Sequence, residues 1–390
     1  MPRFGPFTGV HNVLPAQQLP PEDLAAGVNI DLGDGGRVFR RHGRASFSAG
    51  AADSLFAYRG LALFRRSDAL RRLLPGGSSE VLQSGVTQPV AYWGTGERIY
   101  WSDGLTKGVI VDGANEPWGI SVPTTLPAYA AVATGNVPLG AYLYAVTYLR
   151  DGLESGAGPA GQTAEIQGAI AFTDIPVPAD ATEKAIYLSR PNGQDLYRAM
   201  VLPAATTSAT YSGDTTGLSV RLETQFQQPP PPASSIAEHN GRMLLGVDRF
   251  LLYSSAYRHD LFDPIRMAYT FDAPVTLVAP VQGGVYVGTE RAVEWLAGDD
   301  IATAARDVKV GYGAIPGTLA LLDDAARLGD RGSGRGVLFA SQEGVCLGAQ
   351  GGAFENLTTA RYRYPAARTG AGVVRLEAGR DRLVVAMRTA

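Results

Sequence analysis

The chain has 390 residues and a formal net charge of −3, enough length for two or three domains and no charge excess that would point to nucleic acid or an acidic membrane surface. Its single cysteine, Cys346, excludes an intrachain disulfide framework and a Cys-based zinc site. No apolar run reaches transmembrane length, and the start Met1-Pro2-Arg3-Phe4-Gly5-Pro6 lacks the apolar core of a signal peptide, so synthesis in a cytoplasm is expected. Positive charge is almost all arginine, with lysine only at Lys107, Lys184 and Lys309. Glycine, alanine and proline are plentiful and long amphipathic patterns are scarce, which favours many short strands.

In chain order, Pro20-Pro21-Glu22-Asp23-Leu24-Ala25-Ala26 predicts a helical turn, with proline where a missing N–H is tolerated. Gly27 to Arg41 predicts a hairpin turning at Gly33-Asp34-Gly35-Gly36. Its basic cluster (Arg37, Arg40, Arg41, His42, Arg44) reads as the charged face or edge of a strand rather than a phosphate grip. From Ser54 a small unit appears: a glycine-led turn, a short apolar strand, a turn with a charged residue, and another strand. It occurs after Gly60 and Gly96, again in Asn240–Ser254 and Gly283–Leu296, and after Gly336 and Gly379. Two paired strands are marginal alone, and stacking units radially is the propeller solution. Recurrence at roughly 40–50 residues is the spacing of propeller blades. The fold class expected is therefore all-β, a degenerate β-propeller of about six blades.

The stretch from Gly96 to Gly241 is too long for one blade and implies an insertion. Val122-Pro123 marks its start, and Pro229-Pro230-Pro231-Pro232 reads as a stiff exit linker. Between them lie alternating apolar runs such as Tyr142-Leu143-Tyr144-Ala145-Val146-Thr147-Tyr148, and a hairpin turn at Pro191-Asn192-Gly193. These features predict an immunoglobulin- or fibronectin-III-like β-sandwich. The expected organisation is residues 1–122 propeller, 123–228 sandwich, 229–235 linker and 236–390 propeller. Ala320 to Asp330 predicts a short helix or a decorated loop. The N-terminal segment is expected to complete the last blade, because a propeller closes best when both termini share one.

The order of these pieces resembles the nozzle, or tail tubular protein B-like, structural proteins of short-tailed bacteriophages. Three stretches carry the resemblance: Phe7–Pro15 with Ala26–Asp31 and Gly36–Gly43; Gly140–Tyr148 with Gly152–Ser155, Ile186–Arg190 and Leu196–Arg198; and Leu251–Ser254 with Leu261–Pro264 and Gly283–Thr289. The resemblance implies a propeller body with an inserted domain, a homo-oligomeric ring (a hexamer by the family's pattern), other tail, connector and fibre proteins as partners, and passage of DNA without sequence-specific binding. It places the chain in the virion tail. Separately, Ile99-Tyr100-Trp101-Ser102-Asp103 is similar to the repeat strand of YWTD propellers.

Sites for bond chemistry are not evident. The four histidines (His11, His42, His239, His259) have no metal-ligand spacing. Gly332-Ser333-Gly334-Arg335-Gly336 precedes a strand and does not open a helix, unlike a phosphate loop. There is no Gly-x-Ser-x-Gly elbow. Ser102-Asp103-Gly104-Leu105-Thr106 is similar to a sialidase Asp-box with its glycine displaced, and Asp299-Asp300 and Asp323-Asp324 read as solvated turns. No enzyme activity, metal or cofactor is therefore expected. Tyr253, Tyr257, Arg258 and Phe262, in a long loop after a blade strand, are the candidate assembly contacts, since tyrosine and arginine anchor interfaces. Two rivals remain: a receptor- or carbohydrate-binding propeller at a tail tip, marked by an exposed aromatic pocket, and a sialidase-like hydrolase, marked by clustered arginines and carboxylates.

Overall fold

In a computed structural model the chain is all-β, and the residues described are 6–41, 50–325, 334–359, 361–377 and 380–389. Among them are five antiparallel meanders, four of four strands and one of five, each with its successive strands hydrogen-bonded in chain order apart from the extra strand of the five-stranded one. Blade 1 holds Asp53–Tyr58, Leu61–Arg65, Ala69–Leu73 and Ser79–Ser84. Blade 2 holds Ala91–Thr95, Arg98–Ser102, Lys107–Val111 and Ala114–Glu116. Blade 3 begins with Ser235–His239, Arg242–Val247 and Phe250–Ser255. Blade 4 holds Val275–Val281, Gly284–Thr289, Val293–Ala297 and Ala305–Val310. Blade 5 holds Ala320–Leu322, Gly336–Ser341, Gly344–Gly348 and Phe354–Asn356. A two-stranded hairpin, Ala367–Glu377 with Arg380–Thr389, packs beside the first strand of blade 5.

Strand alternation makes this a propeller. Successive side chains of a strand point to opposite faces, and here the two faces enter the cores shared with the two neighbouring blades. In blade 2, Ile99 and Trp101 pack with Leu63 and Leu70 of blade 1, while Tyr100 packs with Met243 and Leu245 of blade 3. In blade 3, Leu244 turns the other way, onto Val278 and Val285 of blade 4. In blade 4, Tyr286 joins Val337, Phe339 and Cys346 of blade 5. Cys346 is the small core residue its apolar pattern predicts; burial pushes its thiol pKa up.

The insert is a two-sheet sandwich. Ala128–Gly140, Ile166–Thr173 and Ala209–Tyr211 form one sheet. Leu143–Arg150, Glu183–Ser189 and Leu196–Pro203, with the short Leu153–Glu154 and Gly161–Gln162 at the edges of Leu143–Arg150, form the other. Tyr142, Tyr144, Val146 and Tyr148 all point into the core between the sheets, facing Ile170 and Phe172. Ala145 lies on the opposite face with Tyr187 and Leu222.

Some local expectations change. Pro20–Asp23 forms a single turn, with the Asp23 amide on the Pro20 carbonyl at 2.9 Å, and Asp23–Leu24 is a strand rather than part of a helical turn. It pairs in parallel with Gly9–Val10, and that ladder holds the backbone extended. Ala320–Leu322 is likewise a strand, because it pairs with Gly336–Leu338; the rest of the predicted helix, from residue 326, lies outside the described residues. The hairpin expected from Gly27 to Arg41 forms with Ile30–Leu32 against Val38–Arg40, and Arg41 pairs with Asp31 at 3.1 Å. His42 and Arg44 of the basic cluster, Gly332 and Ser333 of the glycine-rich loop, and the turn glycine Gly379 also lie outside the described residues. Among the described residues the two end segments share no ladder; they meet where the Asn12 side chain exchanges hydrogen bonds with the Arg363 backbone at 2.8 Å and the Asn12 backbone amide donates to the Arg361 carbonyl at 2.9 Å.

Candidate functional site: the junction of insert and propeller

The long excursion Ser255–Asp263 explains itself where the sandwich joins the propeller. The outer strand of blade 3 is split. Ala268–Thr270 pairs with Phe250–Leu252 in the ordinary fourth-strand position. Arg258–Phe262 is an additional strand, pairing only at Ser254 and Ser255, and it reaches across to the chain leaving the insert. Gln228 and Phe262 exchange backbone hydrogen bonds at 2.7 and 2.9 Å. The Trp118 indole N–H donates to the His259 carbonyl at 2.9 Å. Arg258 faces Glu223 at 3.7 Å.

The two chain crossings are themselves clamped. Gly119 (φ +84°) lies against Pro229 and Pro230, where a side-chain carbon would stand 2.9 Å from the rings. Gly156 comes so close that a Cβ would sit 1.7 Å from the Gln227 carbonyl oxygen, so only glycine fits that approach. Arg150 donates to the carbonyls of Pro117, Gly119 and Asp180 at 2.9–3.1 Å. Ser121 bonds both oxygens of the Asp180 carboxylate.

The four residues expected to make assembly contacts separate cleanly. Tyr253 is 7% exposed and belongs to the core between blades 3 and 4. Phe262 is fully buried with Tyr100, Trp118 and Met243. Both are corrections to the expected surface role: alternation along strands that pack on two sides turns their rings inward, where no partner reaches them. Tyr257 is 85% exposed, and Arg258 is half-exposed beside Glu223. Tyr257 adopts φ +57°, a conformation rare for a bulky residue. Its amide donates to the Gly241 carbonyl at 2.7 Å, and its ring lies over Gly241, where a Cβ would be 2.5 Å away.

Below Tyr257 a cleft of about 280 Å³ opens between blade 2, the insert and the additional strand. Tyr100, Trp118, His259 and Asp260 are its buried and half-buried lining, and Arg98, Glu116, Asp151 and Tyr257 its exposed lining. The His259 ring stands edge-on to Tyr100 at 5.7 Å, and its Nε2 is buried without a hydrogen-bond partner. Burial lowers the imidazole pKa, outweighing the neighbouring Glu238, the Gly241 backbone and Asp260, so the fold favours neutral His259. Burial raises the pKa of Asp260, opposed only in part by its own amide and by Arg258, His259 and Arg98. Among the described residues no cation comes within ion-pair distance of Asp260, and no three His, Cys, Asp or Glu side chains are grouped to hold a metal. The sequence missed this site because its residues come from three distant segments; the one local signal was an excursion that a blade does not need.

The Asp-box-like turn is a structural tie. Asp103 accepts from the amides of Thr87, Gln88, Leu105 and Thr106 and from the Thr106 hydroxyl, at 2.7–3.3 Å. Burial opposes the carboxylate, but these bonds outweigh it and lower its pKa. Asp300 caps a short turn at Ala302 and pairs with Arg242 at 3.2 Å.

No family model and no curated protein matches the chain. Solved structures with some likeness include the extracellular domain of BT4673 from B. thetaiotaomicron (9% identity, 87% of this chain and 38% of that one, TM-score 0.34). Others are BBS1N in complex with ARL6DN (10% identity, 88% and 91%, TM-score 0.35) and Saccharomyces cerevisiae Sqt1 (15% identity, 74% and 80%, TM-score 0.23). This chain thus spans well under half of the BT4673 domain. TM-scores of this size carry no argument, and the propeller assignment stands on the sheet order and the shared cores.

Proposed function

We propose that this chain is a non-enzymatic structural subunit of a bacteriophage tail, resembling the nozzle that forms a ring-shaped conduit for DNA. The observation that supports this reading is the bracing of the insert: an additional strand, two clamped crossings and buried backbone bonds join sandwich and propeller firmly. A tail component that bears force between ring neighbours needs such a junction. Identical subunits closing a ring use a head-to-tail interface, and Tyr257, with Arg258 beside Glu223, are the exposed loop residues in a position to join it. A lumen that passes DNA works best when neutral or acidic, in keeping with a net charge of −3. The test is negative-stain electron microscopy with sedimentation of the purified full chain, alone and with its neighbouring tail proteins. Closed rings with an open centre are expected; a chain that stays monomeric under every one of these conditions overturns the reading.

A further inference from the structure

We propose that the junction cleft is a binding site for a neutral saccharide of one or two rings. The inference goes beyond the assembly reading and does not depend on it. Three features of the cleft converge. First, Tyr257 is a preset aromatic platform: its backbone is held at positive φ, one side of its ring rests on Gly241, and the rest is open to solvent. A rigid exposed ring of this kind takes the apolar face of a sugar with little ordering cost.

Second, the polar groups alternate in character. Arg98 is a donor, Asp260 an acceptor, and the neutral His259 offers an Nε2 without a hydrogen-bond partner that donates or accepts a hydrogen bond according to its tautomer. Glu116 and Asp151 add acceptors at the rim. A sugar hydroxyl both donates and accepts, so it can satisfy each of these in turn. Third, the charge balance disfavours ions. Two guanidiniums, Arg98 and Arg150, the latter tied to three backbone carbonyls, stand with three carboxylates, Glu116, Asp151 and Asp260, so the lining is of mixed sign. An anion would meet those carboxylates, and an organic cation would meet Arg98. The volume, about 280 Å³, is at the small end for ligand sites, which limits the occupant to one or two rings.

The experiment is a panel of neutral, acidic and amino mono- to tetrasaccharides presented to the full chain, with hits measured by titration calorimetry on wild type, Tyr257→Ala and, as a distant exposed control on blade 1, Leu55→Ala. Tyr257 and Leu55 are exposed, so neither change disturbs the fold. A neutral saccharide is expected to bind, to weaken about tenfold with Tyr257→Ala, the scale of one aromatic contact, and to be unaffected by Leu55→Ala. Absence of any binding, preference for charged sugars, or affinity unchanged by Tyr257→Ala overturns the proposal. Because binding is read on the isolated subunit, its failure is separable from a failure to form rings.

Discussion

Phe262→Ala tests whether the excursion of blade 3 is a brace or a contact loop. The side chain is fully buried among Tyr100, Trp118, Met243, Leu245 and Leu252, and its backbone is paired with Gln228 on both sides. Removing a buried phenyl ring from a packed core costs about 3–5 kcal/mol, the transfer loss plus the cavity left behind. The backbone pair survives the substitution, so the loss falls on the propeller core first and loosens the insert second. Chemical denaturation of the variant should show a propeller transition lowered by that amount. Limited proteolysis should reveal faster cutting near Pro229–Pro232. Tyr257→Ala, five residues earlier but exposed, should change stability by less than about 0.5 kcal/mol. A Phe262→Ala loss below about 1 kcal/mol, or equal losses for the two variants, would refute the packing account.

Four further outcomes follow from the structure. The fold favours neutral Asp260, so its carboxylate lowers stability at neutral pH, and that penalty is relieved as pH falls through the raised folded pKa toward the unfolded value of 3.8. Asp260→Asn should therefore raise the melting temperature at pH 7 and lose its advantage near pH 4; a variant less stable than wild type at pH 7 contradicts this. His259 has the opposite sign: the fold favours its neutral form, so stability is complete above its unfolded value of 6.5 and declines as pH falls below it, a decline that His259→Gln should reduce in melts between pH 5 and 7. Arg306→Ala strands the buried Glu294 carboxylate, which Arg306 grips with two nitrogens while stacking over Phe271, and should cost about 3 kcal/mol in denaturant titration. Asp103→Ala leaves five donors without their acceptor and should cost a comparable amount, about 3 kcal/mol, with Asp103→Asn in between.

Much of the propeller was legible because period-2 alternation and turn glycines are local properties. Gly60, Gly96 and Gly241 occupy positive φ at the first hairpin turn of blades 1, 2 and 3, as their spacing implied. The irregular spacing before Gly336 has a plain cause: in blade 5 the first hairpin carries a long connection between Leu322 and Gly336, so that glycine opens a strand and does not make the turn. The tyrosine run of the insert was legible as a strand, but the cover on its second face was not. Ala145 and Tyr187 are enclosed by Leu222, far along the chain, and alternation alone does not show what lies on the other side.

The same limit explains Tyr253 and Phe262. Aromatic residues beside arginine in a loop read as interface anchors, yet a strand with neighbours on both sides buries either parity. Whether Phe262 or Tyr257 faces outward is decided by where the insert's crossings pass, at Gly119 and at Pro229-Pro230. Those crossings lie at the outer side of blade 2, and the fourth-strand position of blade 3 is the neighbouring element from which a strand reaches them. An excursion placed there has to bury its far end to brace the insert, and that leaves its tip, Tyr257, held over Gly241 and exposed at the rim of the cleft between the two domains. The exposed tyrosine is thus a consequence of the brace: the bonds that lock the sandwich in place also hold the one aromatic ring of the excursion open to a ligand or a neighbour.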